Sequence, residues 1–435
     1  MKSGITLAVL LTVIIINVHA QKEPKAIPGQ FIVILKESSA KPVVKDQKKN
    51  DNREQKLVSN KAAREKNIAK LKSVAKGKNI KESSVVSEFA DVLVGFSAKL
   101  TGAEKKALES DPDVEYIVQD YSVELESTKA EENPKENGAI FPQHDNKETR
   151  GGPLWNFIDN SFVKNVTTNF AQITPCSVTR AGGPVDGSTK LTWIWIVDTG
   201  IDLDHPDLNV MTNATYAKSF VAGETVDDGN GHGTHCAGVA AAKNNTFGTV
   251  GVSAGARVVP VKVLNNMGSG SFSTILAGIN HIAMYDISGD VVNLPIGGGP
   301  MANCENNHPA IRDAIRNLGL AGTHVVISAG SDGNCNGVSS FFPGCINGTR
   351  VYSVGTLNCD LTRASYSNGG AGVDWLAVGT GTYSTFKNGG YITWSGTANA
   401  SACVAGVIHA RGGLAGPANG GDISFCGTIK PLAHL

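Results

Sequence analysis

The sequence predicts an α/β body, a mostly parallel sheet flanked by helices, preceded by a small α+β domain. Two observations carry the body. Continuous β-branched and apolar runs recur at Trp193-Ile194-Trp195-Ile196-Val197, Val258-Val259-Pro260-Val261-Lys262-Val263-Leu264 and Asp290-Val291-Val292-Asn293-Leu294, the pattern of strands buried on both faces. A helical pattern over residues 275–285 separates the last two, as a crossover between parallel strands requires. The first third instead reads strand, helix, strand, helix, strand. At 435 residues the chain is long enough for two or three domains, and its 50 glycines point to many tight turns.

Acidic and basic residues balance at 39 each, so charge favours neither nucleic acid nor an anionic membrane as partner. Met1-Lys2, an apolar run over residues 5–18 and Val18-His19-Ala20 suit a secretory signal peptide over residues 1–20; the run is too short and wrongly flanked for a membrane span. No later segment is apolar for long enough to cross a bilayer. The expectation is a secreted, extracellular monomer.

Residues 21–125 make up the α+β domain. Pro28-Gly29-Gln30-Phe31-Ile32-Val33 is a turn leading into a strand. Between residues 40 and 83 lysines and acids dominate, with Ala69, Leu71 and Val74 at helical intervals, which predicts a loop and then an amphipathic helix. Residues 85–100 read as a strand, Thr101 caps a short helix reaching Ser110, and residues 114–124 form another strand. Residues 126–150 are charged, lack periodicity and read as a linker open to proteolysis. The body follows over residues 151–411, and residues 412–435 form a C-terminal tail.

Eight cysteines in an exported chain favour disulfides. Cheap closure of a short loop nominates Cys335 with Cys345, while Cys236, in a helix start, reads as a small core residue. Sequons at Asn165, Asn213, Asn244 and Asn347 lie in polar, turn-rich sequence and are glycosylation candidates; a fifth, at Asn399, falls in a buried helix.

Three stretches carry chemistry. The run ending Val197-Asp198-Thr199-Gly200-Ile201 sets a carboxylate at the C-terminal end of a strand, the edge where open α/β sheets place their sites. Asp228-Gly229-Asn230-Gly231-His232-Gly233-Thr234-His235-Cys236 sets a histidine between glycines at a helix start. His232 and His235, three apart with no nearby third ligand, make a weak zinc pair. The third stretch is Ser395-Gly396-Thr397-Ala398-Asn399-Ala400-Ser401-Ala402-Cys403-Val404-Ala405-Gly406.

Together these motifs resemble the subtilisin-like serine proteases (peptidase S8), most closely the proteinase K branch. Asp198 to Asp207 matches D-T-G-I-x-x-x-H-P-D. Arg363-Ala364-Ser365-Tyr366-Ser367-Asn368 matches R-A-x-F-S-N, and Pro28 to Val33 matches the P-G-Q-Y-I-V opening of the family's inhibitor-type propeptide. The resemblance implies a subtilisin-like fold, His232 as general base and Asp198 as the group that orients it. It also implies calcium held by loop carboxylates and carbonyls, no ligands being nominated, and a polypeptide ligand or the chain's own propeptide in the cleft.

Departures from the pattern fall at the chemistry. The nucleophile motif G-T-S-M-A-S-P-H-V-A-G places Ala398 where the serine belongs, and a methyl group cannot attack a carbonyl. Ser331 stands where A-A-G-N supplies the asparagine of the oxyanion hole; in subtilisin, losing that donor costs about 2.7 to 4 kcal/mol. Pro295-Ile296-Gly297 replaces the opening of the substrate-pairing segment S-L-G-G-G, and proline has no amide hydrogen to donate. The sequence therefore predicts a catalytically inert homologue, a pseudoenzyme that binds or regulates. Two alternatives stand beside it. One is an active endopeptidase with a displaced nucleophile such as Ser395 or Ser401; the other is a glycosylated structural or matrix protein.

Overall fold

The computed structural model describes residues 23–38, 42–43, 52–125, 171–413 and 416–435. The expected signal peptide, the linker over residues 126–150 and the Asn165 sequon lie outside them. Among the described residues no helix is long and apolar enough to cross a membrane.

The N-terminal domain runs β1 (Lys25–Leu35), α1 (Arg53–Gly77), β2 (Val85–Phe89), β3 (Gly95–Lys99), α2 (Gly102–Glu109) and β4 (Val114–Glu124). Its strands pair antiparallel in the order β4-β1-β3-β2. Capping boxes start both helices, Asn52 with Gln55 on α1 and Thr101 with Glu104 on α2. The single strand expected over residues 85–100 is two strands. The chain reverses between them, so that Phe89 lies opposite Gly95. Gly95 also presses against β1, where a Cβ would lie 2.1 Å from Val33 O, a closeness only glycine allows.

In the body, the long apolar runs become β5 (Ile194–Asp198), β6 (Arg257–Lys262) and β8 (Val291–Leu294), with β7 (Ser269–Ser271) a short strand before the crossover helix. β9 (His324–Ser328), β10 (Val351–Leu357) and β11 (Trp375–Val378) complete a parallel sheet in the order β11-β10-β9-β8-β5-β6. Four helices flank it: α3 (His232–Ala241), α4 (Phe272–Tyr285), α5 (Pro309–Ala321) and α6 (Thr397–Ala410). α3 and α6 share one apolar cluster with Ile194 and Ile196; α4 and α5 share another with Trp195 and Val197. Adjacent β5 residues thus face opposite layers, which is why that strand is apolar throughout.

Past β11, β12 (Thr382–Phe386) and β13 (Gly390–Trp394) pair antiparallel, and the tail is a second ordered hairpin, β14 (Ala418–Phe425) and β15 (Thr428–His434), whose second strand joins β11 in parallel with Leu432 beside Leu376. Its packing overturns the Cys335 to Cys345 pairing. Cys335 bonds Cys426 on the hairpin turn, Cys304 bonds Cys345, and Cys176 bonds Cys359. Proximity along the chain lost to proximity in the fold. Cys236 and Cys403 are free and buried.

Candidate active site

Asp198 ends β5, and His232 opens α3 beside it. The His232 Nδ1 lies 2.9 and 2.8 Å from the two carboxylate oxygens of Asp198. This bond orients the ring and fixes Nδ1 as the nitrogen that faces the carboxylate, leaving Nε2 on the opposite edge, the arrangement of a general base with its orienting acid. The resemblance assigned these roles, and the structure brings the two side chains together.

Asp228, which the sequence analysis gave no role, organises this corner. Its Oδ1 accepts from Gly231 N at 2.8 Å and Thr199 Oγ1 at 2.8 Å; its Oδ2 accepts from Thr234 N at 2.9 Å and Thr234 Oγ1 at 2.6 Å. It therefore caps α3 from three residues before the left-handed Gly231 (φ 109°). Gly233 N donates in turn to Thr199 Oγ1 at 3.0 Å, stitching the helix start to the residue after Asp198. A Cβ at Gly233 would sit 2.1 Å from Gly200 O, so glycine is what lets His232 come this close to β5. The available signal was an aspartate just ahead of a helix start.

Ala398 lies in the first turn of α6, 7% exposed, and its carbonyl is 4.0 Å from Cys236 Sγ on α3. The alternative hydroxyls are engaged elsewhere. Ser401 is fully buried and donates to Ala398 O at 2.9 Å, while Ser395 Oγ accepts from Gly381 N at 2.8 Å. Ser331 is turned onto the start of α6: its Oγ lies 3.2 Å from Thr397 Oγ1 and 3.4 Å from Thr397 N. Burial pushes the Cys236 thiol well up, with the charges of Asp198 and Asp228 adding, so a thiolate at this position is disfavoured. Asp198, His232 and Cys236 offer ligand atoms within 4.8 Å of one another, and the bond between His232 Nδ1 and Asp198 already engages two of the three. His235 is not gathered into a metal cluster with His232; its Nε2 lies 3.1 Å from Thr382 O, and burial first, then the charge of His232, lowers its pKa to about 3.

Pro295, Ile296 and Gly297 follow β8, and all are buried. The next residue, Gly298, exchanges both backbone bonds with Phe342, at 2.8 and 2.9 Å, so its pairing capacity is taken by the chain itself. On the other side, β7 is already occupied. Ser269, Gly270 and Ser271 pair antiparallel with Glu124, Val123 and Ser122 of β4, and Leu125 N donates to Gly268 O at 2.8 Å. The loop after β6 also touches the histidine loop, Asn266 Oδ1 accepting from Gly229 N at 3.2 Å. The N-terminal domain thus delivers its last described residue beside the loop that carries His232.

Residues 190–410 match the family model for the Subtilase family, which covers half the chain and contains the Asp198, His232 and Ala398 positions. The chain belongs to the subtilase family. Residues 30–126 match Peptidase inhibitor I9, the subtilase prodomain, whose β4 adds to the body here. Subtilisin DY of Bacillus licheniformis is 37% identical over 216 residues, 49% of this chain and 74% of its own length. The alkaline serine protease ver112 of Corniculantispora psalliotae is 32% identical over 375 residues, 84% of each chain. A solved cold adapted subtilisin-like serine proteinase is 28% identical, with a TM-score of 0.44 over 52% of this chain and 76% of that one.

For a subtilase, calcium is the implied cation, and one loop of the body fits it. Gln172 Nε2 lies 2.8 Å from Lys243 O, 3.3 Å from Asn245 Oδ1 and 3.1 Å from Thr249 O, so three oxygens converge on one point. Asn245 also bonds the buried Asp207, whose carboxyl is raised by burial against the opposing bond from Thr249 N. Were the Gln172 amide to turn its oxygen to this point, it would join Lys243 O, Asn245 Oδ1 and Thr249 O in an all-oxygen set of the kind calcium takes, with Asp207 holding Asn245 from behind, and the ion would brace the loop after α3.

Proposed function

We propose that this protein is a secreted, catalytically inert subtilase that acts by binding. The carrying observation is Ala398 in the first turn of α6, with the Asp198 and His232 pair built beside it. The engaged Ser395 and Ser401, the inward turn of Ser331 and the unfavourable Cys236 thiolate support the reading, because each removes a substitute for the missing chemistry. The exposed sequons at Asn213, Asn244 and Asn347 suit a glycosylated extracellular protein.

The test is a fluorophosphonate probe together with unfolded casein, applied to the full chain and to chain cut in the 126–150 segment. Neither labelling nor turnover is expected. A labelled serine, or turnover abolished by His232→Ala, would establish the active endopeptidase instead. An inert body cannot process itself, so N-terminal sequencing of purified protein incubated alone should find the junction after residue 125 uncut.

A further inference from the structure

Between the two domains lies a cavity of about 260 Å³, lined by β1, β4 and the turn after β2 on the prodomain side and by α5 on the body side. It shares no residue with the Asp198 and His232 site. Ile34, Leu35, Leu93 and Val94, none more than 7% exposed, give it an apolar floor.

The charge above that floor is of one sign. Glu37, Glu115 and Asp313 bring three carboxylates to the lining against a single cation, Arg316, and its guanidinium is already engaged by Glu305 and by Asn347 O at 2.7 Å. Asp313 spends one oxygen on Arg312 at 2.7 Å, while Glu115 has no ion-pair partner among the described residues. Carboxylates by themselves would mark only a solvated face.

Two further groups call for a donor. Asn317 lines the cavity and is 8% exposed; its Nδ2 donates to Val92 O at 3.0 Å, which leaves its Oδ1 without a donor among the described residues. A buried carbonyl oxygen left so is costly, and it marks a place for an N–H group. The Tyr116 hydroxyl, on the same lining, also has no hydrogen-bond partner among the described residues. Burial raises its pKa, and the charges of Asp313 and Glu115 add to the rise, so the hydroxyl stays protonated in a negative field.

We propose that this cavity binds a small organic cation, a primary ammonium on a short apolar stem. The three N–H donors of such a group match Asn317 Oδ1, the Tyr116 hydroxyl oxygen and the Glu115 or Asp313 carboxylate, while the stem lies along Leu93 and its neighbours. An inorganic cation would leave the apolar floor unused. At about 30 Å³ per water the volume equals that of about nine waters, which suits a ligand of about nine non-hydrogen atoms. The proposal does not depend on the body being inert.

Phenethylamine, of that size, is the probe, and phenethyl alcohol is its uncharged counterpart. Calorimetric titration of the intact full-length chain near neutral pH should give saturable binding of the amine with a Kd below about 1 mM, and binding of the alcohol at least about 10-fold weaker. Saturating amine should also raise the melting temperature, since the site exists only in the folded chain. Glu115→Gln with Tyr116→Phe should weaken the amine at least about 10-fold. No saturable heat up to about 10 mM amine would overturn the proposal. So would equal affinity for the alcohol, or an unchanged affinity in the double variant. If the double variant does not fold, Glu115→Gln alone replaces it, because that side chain is exposed, and the comparison of amine with alcohol on the wild type decides on its own.

Discussion

Asp228 Oδ2 accepts from both the amide and the hydroxyl of Thr234, at 2.9 and 2.6 Å, while its Oδ1 holds Gly231 N. One carboxylate thus holds the helix start that presents His232. Asp228→Ala should cost about 2 to 4 kcal/mol, more than an exposed cap, because the abandoned donors are buried. Urea unfolding would measure it, and Asp228→Asn, which keeps the acceptor on one side, should lose less.

Restoring the missing hydroxyl should not restore the enzyme. Ala398→Ser is expected to remain about 10² to 10³-fold slower in kcat than Ala398→Ser with Ser331→Asn, since the oxyanion donor is absent in the first and rebuilt in the second. Hydrolysis of an activated peptide ester by prodomain-free samples would check the ratio. Equal rates would mean that Ser331 already serves the oxyanion.

Acid should weaken the domain seam. His308 is fully buried beneath the prodomain, its Nε2 3.1 Å from Gln119 O and its ring edge-on to Tyr121. Burial lowers its pKa to about 4, against the smaller opposing effect of the Gln119 bond. A histidine depressed in the folded state contributes stability that is full above about pH 6.5 and is lost as pH falls toward 4. The loss from this one group is on the order of 3 kcal/mol. Unfolding free energies at pH 7.5, 5.5 and 4.5 should fall for wild type, and His308→Gln should flatten one step of that decline. His281 and His324, each lowered to about 4 by burial, titrate in the same window.

Chelation should destabilise the body through the Gln172, Asp207 and Asn245 loop. Millimolar calcium is expected to raise the melting temperature by several degrees over a chelator-treated sample, and Asp207→Ala to abolish the difference. An unchanged melting temperature would exclude calcium from this loop.

Much of the site was legible because its motifs are local. Asp198 ends an uninterrupted apolar run, and His232 sits among the glycines its helix start requires, so residue type and spacing point to both. Ala398 was equally plain. The Asp228 bonds were not, because an aspartate in a glycine-rich turn looks the same whether it meets water or four buried donors. Ser331 was expected to be a lost donor; that its hydroxyl turns onto Thr397 depends on a packing no linear pattern encodes. The Cys335 to Cys426 bond spans 91 residues and exists because β15 docks on β11. The buried pairs of Arg53 with Asp290 and Lys56 with Asp286 escaped notice for a similar reason, since both cations lie in a lysine-rich segment that reads as solvated.

The C-terminal hairpin also governs how these molecules behave when crowded. A parallel sheet ending at β11 would offer its rim as a template for further strands, but β15 covers that rim, and the outermost strand, β14, is interrupted by a register shift between Asn419 and Asp422. Its glycines and aspartate make it a poor surface on which a neighbour could polymerise. The bond between Cys335 and Cys426 at the hairpin turn ties this shield to the body, so its reduction is expected to loosen the cover over β11, with light scattering as the readout.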